Sequence, residues 1–139
     1  MNVLVDTSVW SLGFRRWKAP ANDRDKQLMA LLRDLIQDQR ALLIGPIRQE
    51  LLSGIREPIQ YERLRQKLRA FPDQPLLTED FEQAAELSNQ CRSRGIIGST
   101  VDLLICAITL ARGWHILTTD ADFLSYAKAI PIQLHRTPK

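Results

Sequence analysis

Val3-Leu4-Val5-Asp6-Thr7-Ser8-Val9-Trp10 stands near the start of the chain, and its first three residues are an unbroken apolar run that meets an acid at Asp6. A strand buried on both faces reads as continuous rather than alternating hydrophobicity, so Val3-Leu4-Val5 is expected to be a first, covered strand of an α/β domain. Asp6 then falls at the C-terminal edge of the sheet, where open α/β sheets place their ligands.

Outward from this stretch, helical and strand patterns alternate. Leu28, Leu31, Leu32, Leu35 and Ile36 recur at helical spacing within Arg24 to Gln39, after a turn-rich passage at Ala19 to Asp23. Ala41 to Ile44 is too short for a helix and is bounded by Gly45-Pro46, so a second buried strand is expected there. Pro46 suits the first turn of a helix carrying Ile47, Leu51, Leu52 and Ile55, which places Glu50 beside an apolar stripe. A further helix is expected around Pro58 to Phe71, ended by Pro72 to Pro75. Thr78 is expected as the N-cap of the next, with Glu79 and Asp80 in its first turn and Gly95 at its end.

Between Ser99 and Arg112 apolar residues cover most of the helical circumference, which predicts the most buried helix, with Gly113 stopping it and Asp102 in its opening turn. Trp114 to Thr119 reads as a third strand ending at Asp120. Ile130 to Leu134 reads as a fourth, at an edge because of Pro131. The alternation implies a largely parallel central sheet covered by helices on both faces. With 139 residues and no repeat or linker, one domain spanning residues 1–139 is expected.

Composition narrows the classes further. Cys91 and Cys106 lie in apolar helical contexts without metal-ligand spacing and read as packing thiols of a reducing compartment. No run approaches the ~18 apolar residues of a membrane span, and the N-terminus shows no basic region and cleavage site, so a soluble cytoplasmic protein is expected. The formal charge of +3 admits a polyanionic partner without requiring one. Arg56, Arg63, Arg65, Lys67 and Arg69 crowd one segment, which a solvated helix face would equally explain. Arg15, Arg16 and Lys18 interleave with Phe14 and Trp17, a mixture suited to gripping phosphates and stacking on a base, although a surface loop tucking in two aromatics would look the same. His115 and His135 each lack a second histidine at ligand spacing and read as strand or tail residues.

Four acids recur at strand ends or helix starts: Asp6, Glu50, Asp102 and Asp120. Carboxylates gathered without counter-charge raise one another's pKa and cost stability, whereas a hard divalent cation reverses that penalty. Oxygen donors of this kind suit Mg2+ or Mn2+, which polarise a phosphodiester and activate water. The expectation is Asp6 and Asp102 as principal metal ligands, Glu50 as a ligand of the ion's water or a general base, and Asp120 as support for a second ion. Asp122 is expected either in the site or as a helix cap. Thr7, Ser8 and Thr118 carry hydroxyls able to orient the carboxylates or a phosphate.

Four blocks carry a resemblance: Val3 to Trp10, Gln49-Glu50-Leu51-Leu52-Ser53-Gly54, Asp102 to Ala107, and Thr118-Thr119-Asp120-Ala121-Asp122-Phe123. In order and spacing, from about Met1 to Leu134, they resemble the PIN-domain ribonucleases, specifically the VapC-type toxins of type II toxin–antitoxin systems. The resemblance implies a Mg2+- or Mn2+-dependent endoribonuclease acting through Asp6, Glu50, Asp102 and Asp120. It also implies a homodimer and a small antitoxin, which we expect to insert a basic side chain among the acids. Cys106 departs from the family's frequent alanine, and the Phe14 to Asn22 passage is somewhat long.

A haloacid-dehalogenase-type phosphatase would want a second acid two residues after Asp6, where Ser8 stands. A phosphoacceptor receiver would want paired acids after strand one and a lysine beside its last strand. The alternative from another class is a catalytically inactive PIN-like module that binds RNA or protein, against which the four intact acids argue.

Overall fold

The computed structural model describes residues 1–15 and 22–137. At its centre lies a parallel three-stranded sheet of order β2-β1-β3, with β1 at Val3–Val5, β2 at Ala41–Leu42 and β3 at His115–Leu117. Val3 pairs with both Ala41 and His115, Leu4 with Leu42 and Ile116, and Val5 with Leu117. All three β1 residues are fully buried although successive side chains point to opposite faces, so both faces of the sheet are covered.

Among the described residues seven α-helices surround it: α1 (Thr7–Trp10), α2 (Asp23–Gln37), α3 (Gly45–Leu52), α4 (Pro58–Leu68), α5 (Thr78–Arg92), α6 (Thr100–Arg112) and α7 (Asp122–Ala129). A π-helical turn, Ser11–Arg15, extends α1. Helix α6 is buried continuously from Leu103 to Thr109, as its all-round hydrophobicity predicts, and it packs along α5. Its ends follow local chemistry. The Ser99 hydroxyl accepts the Asp102 amide at 3.1 Å, and Gly113 closes the helix at φ +69°, a left-handed conformation that costs glycine little. Asn22 caps α2 in the same way, accepting the Asp25 amide at 2.8 Å.

Three local expectations need correction. The expected fourth strand is one parallel bridge, Ile116 to Leu134. The end of α7 claims its start, because the Ile130 amide still bonds the Tyr126 carbonyl four residues back, and Pro131 has no N–H to offer a ladder. The second strand stops at Leu42, and Ile44 becomes the N-cap of α3, its carbonyl accepting the Ile47 and Arg48 amides at 3.1 Å each. Thr78 lies inside α5, and Leu77 is the N-cap. Asp80 reaches back to accept the Leu77 amide at 2.8 Å and is gripped by both terminal nitrogens of Arg112, at 3.0 and 2.9 Å. A carboxylate held by a guanidinium fork from α6 outweighs what a threonine hydroxyl would contribute to the cap.

Cys91 and Cys106 are buried free thiols, and burial pushes the Cys106 thiol up to about 12. Among the described residues no helix is long and apolar enough to cross a membrane.

Candidate metal centre

Strand β1 ends at Asp6, whose amide bonds the Leu117 carbonyl of β3 at 2.9 Å and continues the ladder one residue beyond the strand. The Asp6 carbonyl then accepts the Val9 and Trp10 amides, so the chain turns directly into α1. This turn leaves the Asp6 carboxylate at the C-terminal edge of the sheet, only 7% exposed. Its Oδ2 accepts hydrogen bonds from Thr118 Oγ1 at 2.8 Å and Ser8 Oγ at 3.0 Å. The same hydroxyls tie down the segment after β3: Ser8 Oγ accepts the Thr119 amide at 3.1 Å, and Thr118 Oγ1 the Asp120 amide at 3.0 Å. One network thus locks the ends of two adjacent strands around one carboxylate.

Asp102 enters from the first turn of α6 and Asp120 from the turn after β3. Asp122, the first residue of α7, completes a trio whose ligand oxygens all lie within 4.8 Å of one another. Asp120 Oδ1 also accepts the Asp122 amide at 2.9 Å, so both acids belong to the cluster and, of the two roles open to Asp122, the structure gives it the place in the site. Glu50 stands on α3, exposed between the buried Ile47 and Leu51 turns, and Thr7 Oγ1 donates to its Oε2 at 3.3 Å.

The electrostatics agree with the geometry. Burial pushes the Asp102 carboxyl above its ordinary value, and the Asp6 and Asp120 charges add to this, while hydrogen bonds from Tyr126 and Ser99 pull it back. Glu50 is likewise raised, by burial first and then by Asp6 and Asp102, against the Thr7 hydrogen bond. Both groups therefore feel a concentration of negative charge. The ion pairs of the described residues lie elsewhere, at Arg48–Asp73, Arg65–Glu62 and Arg112–Asp80. Hard carboxylate oxygens, mutually repelling and close together, fit a divalent cation of the Mg2+ or Mn2+ type.

Sequence reasoning missed Tyr126. Its hydroxyl donates to Asp102 Oδ2 at 2.7 Å, yet at Phe123–Tyr126 spacing on α7 it reads as a core aromatic. The available signal was chemical, since a buried phenol needs a partner for its O–H. His115 and His135 are a strand and a tail residue, as expected, and the fold brings them together, with Nδ1 atoms 3.4 Å apart, at the opposite end of β3 from the acids. Arg65 of the basic segment on α4 is engaged by Glu62, at 2.8 Å from its Nε. Arg16, Trp17 and Lys18 lie outside the described residues, as does the side chain of Arg15.

A short parallel sheet with carboxylates gathered beyond its C-terminal edge defines an α/β domain with its candidate site where open α/β sheets place their ligands. The PIN-domain family model matches residues 3–129, and the chain belongs to that family. No curated protein matches it. Solved structures of similar fold include FitAcB from Neisseria gonorrhoeae, at 19% identity and TM-score 0.74, covering 96% of each chain. FitAB bound to an IR36 DNA fragment is 20% identical with TM-score 0.73, covering 96% of this chain and 93% of the other. VapBC2 from Rickettsia felis, bound to a DNA fragment from their promoter, is 17% identical with TM-score 0.69 and covers 97% and 98%.

Proposed function

We propose that this protein is a divalent-metal-dependent endoribonuclease and the toxin of a toxin–antitoxin pair, with residues 1–139 forming a single PIN domain. The observation that carries the reading is the trio Asp102, Asp120 and Asp122, within 4.8 Å of one another and adjoining the locked Asp6 carboxylate. PIN domains are generally nucleases, and the fold neighbours come from Fit and Vap complexes, which supports the toxin reading.

Asp6 and Asp102 are assigned as principal ligands of Mg2+ or Mn2+, Asp120 as support for a second ion with Asp122 beside it, and Glu50 as a further ligand or the general base. A cation bound there would neutralise phosphate charge and lower the pKa of the attacking water. The chain's own residues do the rest. Ser8 and Thr118 hold Asp6 in one orientation, so little ordering remains to be done when a substrate arrives. Glu50, held by Thr7 and raised above its ordinary value, is a better proton acceptor than a free glutamate. Without a cation the cluster would repel an RNA phosphate.

Arg15, Arg16, Trp17 and Lys18 are assigned to RNA contact from their basic and aromatic composition. An antitoxin placing a basic side chain among the acids would supply the charge they lack, and a homodimer in the cytoplasm completes the proposal. The test is incubation of the protein and its Asp6→Asn variant with total RNA in Mg2+, Mn2+ or EDTA, with mapping of new 5′ ends. Metal-dependent cuts that vanish in the variant support the nuclease. RNA binding without cuts by the folded protein would replace it with the inactive binding module.

A further inference from the structure

Helix α7 reaches the acid cluster twice. Asp122 brings a charge at its start, and Tyr126, one turn later, brings a hydrogen-bond donor. The Tyr126 ring is 1% exposed and packs edge-on against Phe123, with centroids 5.2 Å apart. Its seat is shaped by the loop before α6. A Cβ at Gly98 would stand 2.2 Å from Leu103 Cδ2 and 2.8 Å from Tyr126 Cε1, so only glycine lets the ring and Leu103 close on the loop. The ring is therefore held by Phe123 on one side and the Gly98 loop on another, in addition to the hydrogen bond it makes.

That hydrogen bond, at 2.7 Å, ends on Oδ2 of Asp102, in the same α6 turn whose backbone Ser99 caps. An aspartate side chain has two torsions, and the backbone fixes neither. The phenol thereby restrains a carboxylate whose ligand oxygen lies within 4.8 Å of those of Asp120 and Asp122.

We infer that Tyr126 is a positioning residue of the metal centre: its buried hydroxyl orients the Asp102 carboxylate, and so sets affinity for a divalent cation that it does not itself touch. The inference rests on the metal-centre reading above. Partners that orient a ligand from behind are worth roughly 10–100-fold in metal affinity, although the ring alone would satisfy a purely structural role.

Tyr126→Phe keeps the ring and removes only the O–H. The measurement is the Mn2+ dissociation constant by calorimetry, for the protein, Tyr126→Phe and Asp102→Asn, with thermal melts in EDTA alongside. We expect Asp102→Asn to abolish binding and Tyr126→Phe to weaken it by roughly 10–100-fold while remaining folded. Unchanged Mn2+ affinity in a folded Tyr126→Phe, with binding lost in Asp102→Asn, would overturn the positioning role alone and leave the metal centre standing. Failure of the wild-type protein to bind Mn2+ would overturn both, whereas Mn2+ binding without RNA cleavage would remove only the nuclease.

Should Tyr126→Phe not fold, 3-fluorotyrosine protein answers the same question, with the resonance of Tyr126 told from that of Tyr61 by a Tyr61→Phe variant. A 19F shift of Tyr126 that is half-complete at the Mg2+ dissociation constant, measured by calorimetry on the same protein, supports the role, and a resonance indifferent to Mg2+ overturns it.

Discussion

Asp102→Asn is expected to stabilise the metal-free protein while destroying its response to metal. The ligand oxygens of Asp102, Asp120 and Asp122 lie within 4.8 Å of one another. At that separation two unit charges repel by about 1 kcal/mol in a water-like dielectric and about 3.5 kcal/mol at an effective value of 20. Asp122 is exposed, which favours the lower figure, and salt trims it further. Removing the Asp102 charge ends two such repulsions, a gain of about 2 kcal/mol. Asparagine still accepts from Tyr126 through its carbonyl, but losing the charge-assisted part of that bond costs about 0.5–1 kcal/mol. The net expectation is about 1 kcal/mol of stabilisation in EDTA at pH 7, roughly 4 °C in Tm for a chain of this size.

The sign follows from linkage. Asp102 has its folded pKa raised above the ordinary 3.8, so its ionisation destabilises the fold as pH rises through that value and beyond. The advantage of the variant should accordingly vanish below pH 3.8, where the carboxyl is protonated in both folded and unfolded chains. Mg2+ at about 100 times its dissociation constant should stabilise the wild-type protein by roughly 2.7 kcal/mol and leave the variant unmoved, inverting the order of the two melts. Chemical and thermal unfolding in EDTA and in Mg2+ measure all of this. A variant less stable than wild type in EDTA, or equal Mg2+ stabilisation of both, would refute the reasoning.

Two further outcomes follow from other parts of the molecule. Arg112→Leu strands the Asp80 carboxylate, 5% exposed, with only the Leu77 amide, and should cost about 3–5 kcal/mol in urea unfolding; a loss below ~1 kcal/mol would show the pair to be dispensable. Burial, the facing His115 and then Arg40 hold the His135 imidazole below its ordinary 6.5, so the unfolded chain takes up its proton first and stability should decline as pH falls below 6.5. Melts from pH 7.5 to pH 5 should show this decline blunted in His135→Asn, and identical profiles would contradict it.

Elements set by unbroken local patterns were legible in the residues. Val3-Leu4-Val5 could only be a covered strand, and the crowded apolar surface of Val101 to Leu110 could only be a buried helix, capped by Ser99 and stopped by Gly113. Legibility failed where another segment, adjacent or remote, competes for the same residues. Ile130 to Leu134 has strand composition, yet its start is claimed by α7 and it contributes one bridge. Thr78 is a good cap by itself, but Arg112, 32 residues away, recruits Asp80 to that helix end.

The candidate site divides along the same line. Residue order alone determined which acids stand at strand ends and helix starts, because hydrophobic periodicity sets where each element ends and therefore where Asp6, Glu50, Asp102 and Asp120 project. Tertiary structure alone decided that Asp122 joins Asp102 and Asp120, that Ser8 and Thr118 lock Asp6 across 110 residues of chain, and that Tyr126 stands behind Asp102. Those are contacts of a few ångströms between side chains on different elements. They depend on how α7 seats against α6 and the Gly98 loop, a packing solution to which no local pattern corresponds.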